Sequence, residues 1–255
     1  QERGLNALIY FKDIIDNYGV KTIKATATSA FRNAVNGIDF KNLIKEETGI
    51  DIEIIYGDRE AELIYKGVKT ALEMNKSPEL IMDIGGGSVE FIICNKDEIF
   101  WKQSFEIGAQ RLLDKFQKHD PILLSEIEEL NSFLELNLKP LIEAAEKFPT
   151  QCLIGASGSF DIVSEIYHEI HNPEFNIHKD ASWEIPLEAF HHAHSLFISK
   201  NREDRILIPG MIPMRVDMIV VASCLIDFVI SKLNINRLRI SSYALKEGVL
   251  SELIN

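Results

Sequence analysis

The stretch DIGGGSVE, Asp83–Glu90, decides how this chain is read. It follows the apolar run ELIMDI (Glu79–Ile84) and leads into VEFIICN, which reads as a second strand. Three adjacent glycines between two strands leave the backbone open to close approach, because no Cβ stands in front of the N–H groups. Converging N–H groups form an anion cradle. The pattern is not GxxxxGK[ST], and it is not the dinucleotide GxGxxG, since a hairpin follows where that fingerprint needs a helix. Asp83 is a poor neighbour for a phosphate unless a cation lies between them, so it points to Mg²⁺. The competing reading is a hairpin turn whose glycines serve geometry alone.

Working outward, VKTIKATATSA (Val20–Ala30) reads as a strand and FRNAVNGIDFKNLIKEETG as a helix that stops at Gly49. IDIEIIY (Ile50–Tyr56) reads as a strand, and Gly57-Asp58 opens a helix running to about Asn75. A hairpin turning at NKDE follows the triple glycine. LLSEIEELNSFLELNLKPLIEAAEKF then reads as helix, QCLIGAS (Gln151–Ser157) as strand and FDIVSEIYHEI as helix. HNPEFNIHKDASWEIP reads as an irregular connection. The chain closes with helix LEAFHHAHSLFIS, loop NREDRILIPGMIP, apolar helix RVDMIVVASCLIDFVISKL, strand RLRISS and helix YALKEGVLSELI. Strands and helices alternate, which predicts an α/β fold.

The bulk numbers set limits. At 255 residues the chain holds two modest domains or one large one. A formal net charge of -12 disfavours general binding to nucleic acid or an anionic membrane. A polyanionic substrate would need a local positive pocket. Cys94, Cys152 and Cys224 are too few and too widely spaced for a disulfide framework or a metal knuckle, and read as reduced thiols of a cytoplasmic protein. The longest apolar run, Met218–Ile226, is too short to span a bilayer. The chain opens with Gln1 in a helical pattern, which suggests that sequence is missing upstream.

Three further features carry chemistry. GASGS (Gly155–Ser159) is a second small-residue turn, here between a strand and a helix, where an anion is favoured. Ser159 reads equally well as a helix N-cap. Glu60 begins an apolar stripe of Leu63, Ile64, Gly67, Val68 and Ala71. A carboxylate half-buried in such a stripe gains basicity and suits a general base; a first-turn Glu that favours the helix dipole is the plain alternative. Arg32, after the turn ATSAF, suits bidentate phosphate binding or a salt bridge. HHAH (His191–His194) has no evident metal-ligating partner.

ATATSAFRNAVN, IEIIYGDREAELIYKGV, LIMDIGGGSVEF, IGAQRL, LIGASGSF, IPGMIPMRVDMIVVA and SSYALKEGVL occur in the order found in the exopolyphosphatase/guanosine pentaphosphatase (Ppx/GppA) family, which the chain resembles over nearly its whole length. The resemblance implies two RNase H-like domains of the actin/Hsp70/sugar-kinase fold with an interdomain cleft, the first lacking its N-terminal strands. It implies residues 1–76 as the rest of domain I, 77–242 as domain II, and 243–255 as a C-terminal helix packing back on domain I. The absent element is the family's first phosphate loop, and the end of the chain resembles the short form without the C-terminal helical domain. The family's Ser-Gly-x-Glu-Glu-Ala segment falls on Tyr56–Ala61, which places the catalytic glutamate at Glu60. Its Gly-rich loop falls on Asp83–Ser88, its following glutamate on Glu90, and its Arg-bearing turn on Ala27–Arg32. Tyr56, Arg59 and Val89 depart from the family pattern; none removes the proposed base.

These readings combine into one expected mechanism. Gly85, Gly86, Gly87, Ser88 and Arg32 hold the terminal phosphate; Asp83 and Glu90 hold Mg²⁺; Glu60 activates water. Gly155, Ser157, Gly158 and Ser159 hold the following phosphates. The substrate is polyphosphate or a guanosine polyphosphate, and a homodimer is the state the family suggests. A kinase or ATPase of the same fold and a non-catalytic (p)ppGpp or polyphosphate sensor are the rivals.

Overall fold

The structure is a computed structural model, and it describes residues 1–172, 174 and 179–254. The chain divides into a unit of Gln1–Glu60 and a unit of Ala61–Asn255. In the first, α1 (Glu2–Asn17), β1 (Ala25–Ala27), α2 (Ser29–Asn33), α3 (Gly37–Thr48) and β2 (Ile52–Ile54) follow in order. β1 and β2 pair in parallel, Ala25 opposite Ile52. Ala27, Ile44, Ile50 and Ile52 are buried there, with Leu5, Leu8, Phe31 and Phe40 packed around them.

The strands are shorter than the sequence predicts, and the helix expected after Ala30 is two. Ala34 is extended at ψ 131°, so the chain leaves the helix before the Asn36-Gly37 step and starts again at Gly37. The stop at Gly49 is as read: Gly49 is left-handed at φ 71° and donates its N–H to the Lys45 carbonyl.

α4 (Gly57–Ala71) leads from the first unit into the second. There follow β3 (Glu79–Ile84), β4 (Val89–Cys94), β5 (Ile99–Phe105), α5 (Ala109–Phe116), α6 (Leu124–Asn137), α7 (Lys139–Lys147), β6 (Cys152–Ala156) and α8 (Gly158–His171). β7 (Ser182–Ile185), α9 (Leu187–Ser199), α10 (Arg202–Arg205), α11 (Ile219–Leu233), β8 (Arg237–Ser241) and α12 (Leu245–Ile254) complete it. The sheet order is β5-β4-β3-β6-β8-β7. β4 runs antiparallel to β3 and β5, whereas β3, β6 and β8 are parallel. This is the RNase H-like arrangement, with β7 added antiparallel at one edge.

β3 and β4 are buried at every position, because both sheet faces are covered. Leu80, Met82 and Ile84 face a large core with helices α5 to α9 and α11. Ile81, Ile92 and Ile154 face Ile64, Val68 and Leu72 of α4. α12 crosses α4 at backbone distance: a Cβ on Gly67 would lie 1.9 Å from the Ala244 carbonyl oxygen, and one on Gly248 would lie 1.8 Å from that of Leu63.

Two sequence readings need correction. The helix expected over residues 123–148 breaks at Leu138, because Pro140 can occupy a first turn but not a helix interior. In HNPEFNIHKDASWEIP, residues 173 and 175–178 lie outside the described residues, and Ser182–Ile185 is not irregular but forms β7. Its four residues pair with β8, and Glu184 forms a two-point ion pair with Arg237.

Candidate active site

The parallel strands β3 and β6 end side by side, and open α/β sheets bind ligands beyond such carboxyl ends. The loop after β3 has its carbonyls occupied from within. Gly85 O accepts from Ala109 N at 2.9 Å, Gly86 O from Gln110 N at 3.0 Å and Gly87 O from Gly108 N at 3.1 Å. Arg111 Nε also donates to Gly87 O at 2.8 Å, and Ser88 O accepts from Gly85 N at 2.9 Å. The start of α5 thus holds the loop by its carbonyls. The N–H groups of Gly86, Gly87 and Ser88 take part in none of these bonds.

Steric demands divide the glycines by role. A Cβ on Gly108 would meet Gly86 C at 2.4 Å, so Gly108 is what lets α5 reach the loop. A Cβ on Gly86 would meet only the Gln110 Cβ, at 4.0 Å. None of Gly85, Gly86 and Gly87 is at positive φ. No protein neighbour and no left-handed backbone therefore requires a glycine at Gly86. What its missing Cβ leaves open is access to the amides.

Asp83 is the register partner of Glu90, so the two side chains project from one face of the sheet. Both are buried. Ser104 Oγ donates to Glu90 Oε1 at 2.6 Å. Burial pushes the Asp83 carboxyl up to about 6, and Asp161 adds to the rise; a Ser157 hydrogen bond and the Arg215 charge oppose it. Two oxygen-donor carboxylates on one face, beside a loop offering amides, fit a hard cation such as Mg²⁺, which takes one or two carboxylates and keeps other positions for water and phosphate.

The second turn is engaged differently by each residue. Ser157 is held at φ 78°, uncommon for a residue with a side chain. Its Oγ donates to Ile84 O at 3.1 Å and lies 3.2 Å from Ile84 N, which ties the end of β6 to that of β3. Ser157 is also the N-cap of α8, so Ser159 is a buried residue of the first turn and not the cap. Gly155 lies under Phe160, whose ring a Cβ would meet at 2.1 Å. Gly158 lies against the Arg215 guanidinium and lines an open cavity of about 830 Å³. Sequence reasoning missed Arg215, although PMRVD stands just ahead of the apolar helix; a lone Arg in a loop carries no periodic signal.

In the first unit, Arg32 Nη1 donates to Glu60 Oε2 at 3.0 Å and to Ile55 O at 2.9 Å. The two side chains are 11% and 7% exposed. Glu60 is the fourth residue of α4 and is fully within the apolar stripe. The sequence reading offered Arg32 a phosphate or a salt bridge; the structure shows an ion pair with Glu60. His194 Nδ1 lies 2.9 Å from Ser223 Oγ, and His191 Nδ1 lies 3.6 Å from Asp227. Among the described residues no group of three or more His, Cys, Asp or Glu is placed to hold a metal. Among them, too, no helix is long and apolar enough to cross a membrane.

An RNase H-like sheet with an amide-lined glycine loop and paired carboxylates at its strand ends defines a phosphate-handling α/β protein. The chain belongs to the Ppx/GppA phosphatase family, whose model matches residues 1–255. It is 42% identical to an exopolyphosphatase from Cytophaga hutchinsonii of known crystal structure, with a TM-score of 0.96 over 99% of this chain and 81% of that one. It is 23% identical over 254 residues to a guanosine-5'-triphosphate,3'-diphosphate pyrophosphatase from Photobacterium profundum, covering 100% of this chain and 49% of the relative. A 118-residue stretch, 45% of this chain, is 41% identical to 18% of a bifunctional 3-dehydroquinate synthase/phosphatase from Fusobacterium nucleatum. The chain thus spans half or less of these two curated relatives.

Proposed function

We propose that this chain hydrolyses the terminal phosphoanhydride bond of inorganic polyphosphate. The observation that carries the reading is the loop at Gly85–Ser88, whose carbonyls are tied to α5 while the amides of Gly86, Gly87 and Ser88 remain beside a buried carboxylate pair. Those amides donate to the oxygens of the terminal phosphate. Asp83 and Glu90 would hold Mg²⁺, which would offset the charge of the phosphate oxygens. Glu60 accepts a proton from the attacking water, whose oxygen bonds to the terminal phosphorus as the bridging P–O bond breaks. The products are orthophosphate and a chain shorter by one phosphate. Arg32 orients Glu60 through the 3.0 Å contact. The role of Glu60 rests on the family resemblance and on that pairing, and the role of the loop on its own geometry.

The test is orthophosphate release with Mg²⁺ from long-chain polyphosphate and, in parallel, from pppGpp. Glu60→Gln keeps the shape of the side chain and loses the base, and turnover is expected to fall by about 10²–10⁴. Release from neither substrate by the folded protein would overturn the hydrolase reading and leave a binding protein. Near wild-type turnover in Glu60→Gln would remove Glu60 from its role. The same reaction on pppGpp is the second reading, favoured by the Photobacterium relative, which aligns with all of this chain.

A further inference from the structure

In a trans peptide the carbonyl and the N–H of one unit point in opposite directions. Each carbonyl of the glycine loop that is tied to α5 or its lead-in therefore aims the next residue's amide the other way. Gly85 O sets the Gly86 N–H, Gly86 O sets that of Gly87, and Gly87 O sets that of Ser88. The first two carbonyls accept from backbone N–H groups, which a side-chain truncation leaves in place. Gly87 O is different. It accepts from Gly108 N at 3.1 Å and also from Arg111 Nε at 2.8 Å. Among the described residues, Arg111 is the one side chain that donates to a carbonyl of this loop. A carbonyl oxygen has two lone pairs and accommodates both donors. Arg111 is in turn aimed from outside the loop, since its Nη2 donates to Glu106 Oε2 at 3.0 Å. A guanidinium is planar, so holding Nη2 also fixes the direction of the Nε–H. The two side chains are 46% and 43% exposed, so solvent screens the pair and it adds little to stability.

We propose that Arg111 is a positioning residue for phosphate release: through Gly87 O it keeps the Ser88 amide turned toward the reacting phosphate, and Glu106 keeps Arg111 in place. The inference rests on the hydrolase reading. The rival role is a plain steering charge, because an exposed cation beside a phosphate loop attracts a polyanion without touching the backbone. Glu106 separates the two. A steering charge works better when nothing neutralises it, so losing the Glu106 carboxylate would then strengthen substrate binding. A positioning hydrogen bond works worse when the group that orients its donor is lost. The two roles thus predict opposite signs for one substitution. Ionic strength separates them again: steering between exposed charges fades with added salt, whereas the direction of a peptide unit does not depend on it.

The experiment measures kcat and KM for orthophosphate release from polyphosphate with Mg²⁺, at low and at high salt. It uses the intact protein, Arg111→Ala, Glu106→Gln and the double variant. Removing one oxyanion donor outright costs about 10²–10³ in kcat. Gly108 N still holds Gly87 O when Arg111 is truncated, so kcat is expected to fall by less, about tenfold. The fall should be equal at both salts, with KM and the urea midpoint little changed. Glu106→Gln is expected to lower kcat to a smaller extent, and the double variant to match Arg111→Ala, because Glu106 acts through Arg111. Unchanged kcat in Arg111→Ala, or a loss that tracks a fall in urea midpoint, overturns the inference. A salt-dependent rise in KM in Arg111→Ala, with KM lowered in Glu106→Gln, overturns it in favour of the steering charge. A second readout needs no turnover: amide-resolved NMR during titration with orthophosphate and Mg²⁺. The Ser88 amide is expected to shift in wild type and to respond much less in Arg111→Ala, while Gly86 and Gly87 respond as before. No Ser88 response in wild type, or one equal in both proteins, overturns the inference. The expected Ser88 pattern in a protein that releases no orthophosphate from polyphosphate or pppGpp would leave the positioning of the loop standing and sink the hydrolase reading alone.

Discussion

Asp83→Asn should stabilise the metal-free protein, and the size of the effect follows from burial. Asp83 is 9% exposed as a residue, and burial moves its carboxyl from 3.8 to about 6. At about 1.36 kcal/mol per pH decade, that gap means the ionised carboxylate costs the metal-free fold about 3 kcal/mol. The sign is set by proton binding. Between pH 3.8 and about 6 the folded state keeps a proton that the unfolded chain releases, so stability falls as pH rises through this window. Above it the whole cost is present; below it none is. Asparagine has the same shape and no charge. Urea unfolding in chelator at pH 8 should therefore show Asp83→Asn more stable than wild type by up to about 3 kcal/mol, with the gap closing by about pH 4. Added Mg²⁺ should stabilise wild type at pH 8 and leave the variant unmoved. A variant less stable than wild type at pH 8 in chelator, or a gap that ignores pH, would refute the reasoning.

Three other perturbations separate roles that the sequence cannot. Gly108→Ala puts a Cβ 2.4 Å from Gly86 C and should displace the loop, lowering phosphate release at least about tenfold with a stability loss of about 1–3 kcal/mol, read by turnover and urea midpoint together. Gly155→Ala meets the Phe160 ring at 2.1 Å and should cost at least about 1–3 kcal/mol of stability while KM is kept; a raised KM at full stability would make Gly155 a phosphate contact instead. Burial lowers the His194 imidazole pKa, and His191 adds to this while Asp227 opposes it. The folded state therefore binds that proton less well than the unfolded chain, and stability is lost as pH falls below the usual 6.5. His194→Gln should remove this imidazole's share of the loss, raising the urea midpoint at pH 5 relative to that at pH 7.5 when compared with wild type.

Much of the second unit was legible because its signals are long or doubled. ELIMDI and VEFIICN, separated by glycines, could scarcely be anything but a hairpin, and the stripe from Glu60 to Val68 is buried where the helical period puts it. Short or interrupted elements were not. β7 has four residues, too few for a period, and its reason to exist is Arg237 and Ile240 of β8, over fifty positions away. The break at Leu138 was written in Pro140, yet the apolar period runs on across it and masked the stop. Site residues divide in the same way. The Gly-rich loop is contiguous and declares itself, whereas Arg215 meets Gly158 only after the chain has folded, and the Arg32 contact to Glu60 spans 28 positions.

The treatment of buried carboxylates argues for function at Asp83 more strongly than its motif does. This chain can bury an acid comfortably. Glu79, on the same strand, receives Arg239 at 2.9 Å and both the N–H and the side-chain amide of Asn75. Glu126 receives the N–H groups of Leu123 and Lys118 and faces His119, and its carboxyl is held below the ordinary range despite burial. In Glu126 those donors favour the charged form. Asp83 has Ser157 and the more distant charge of Arg215, and together they fail to offset its burial. A fold that supplies donors to its other buried acids and leaves this one short has kept a place for charge from outside. Beside it, the N–H groups of Gly86, Gly87 and Ser88 are left out of the bonds that tie the loop to α5, so a donor-poor acid and amides not used by that tether meet at one end of the sheet.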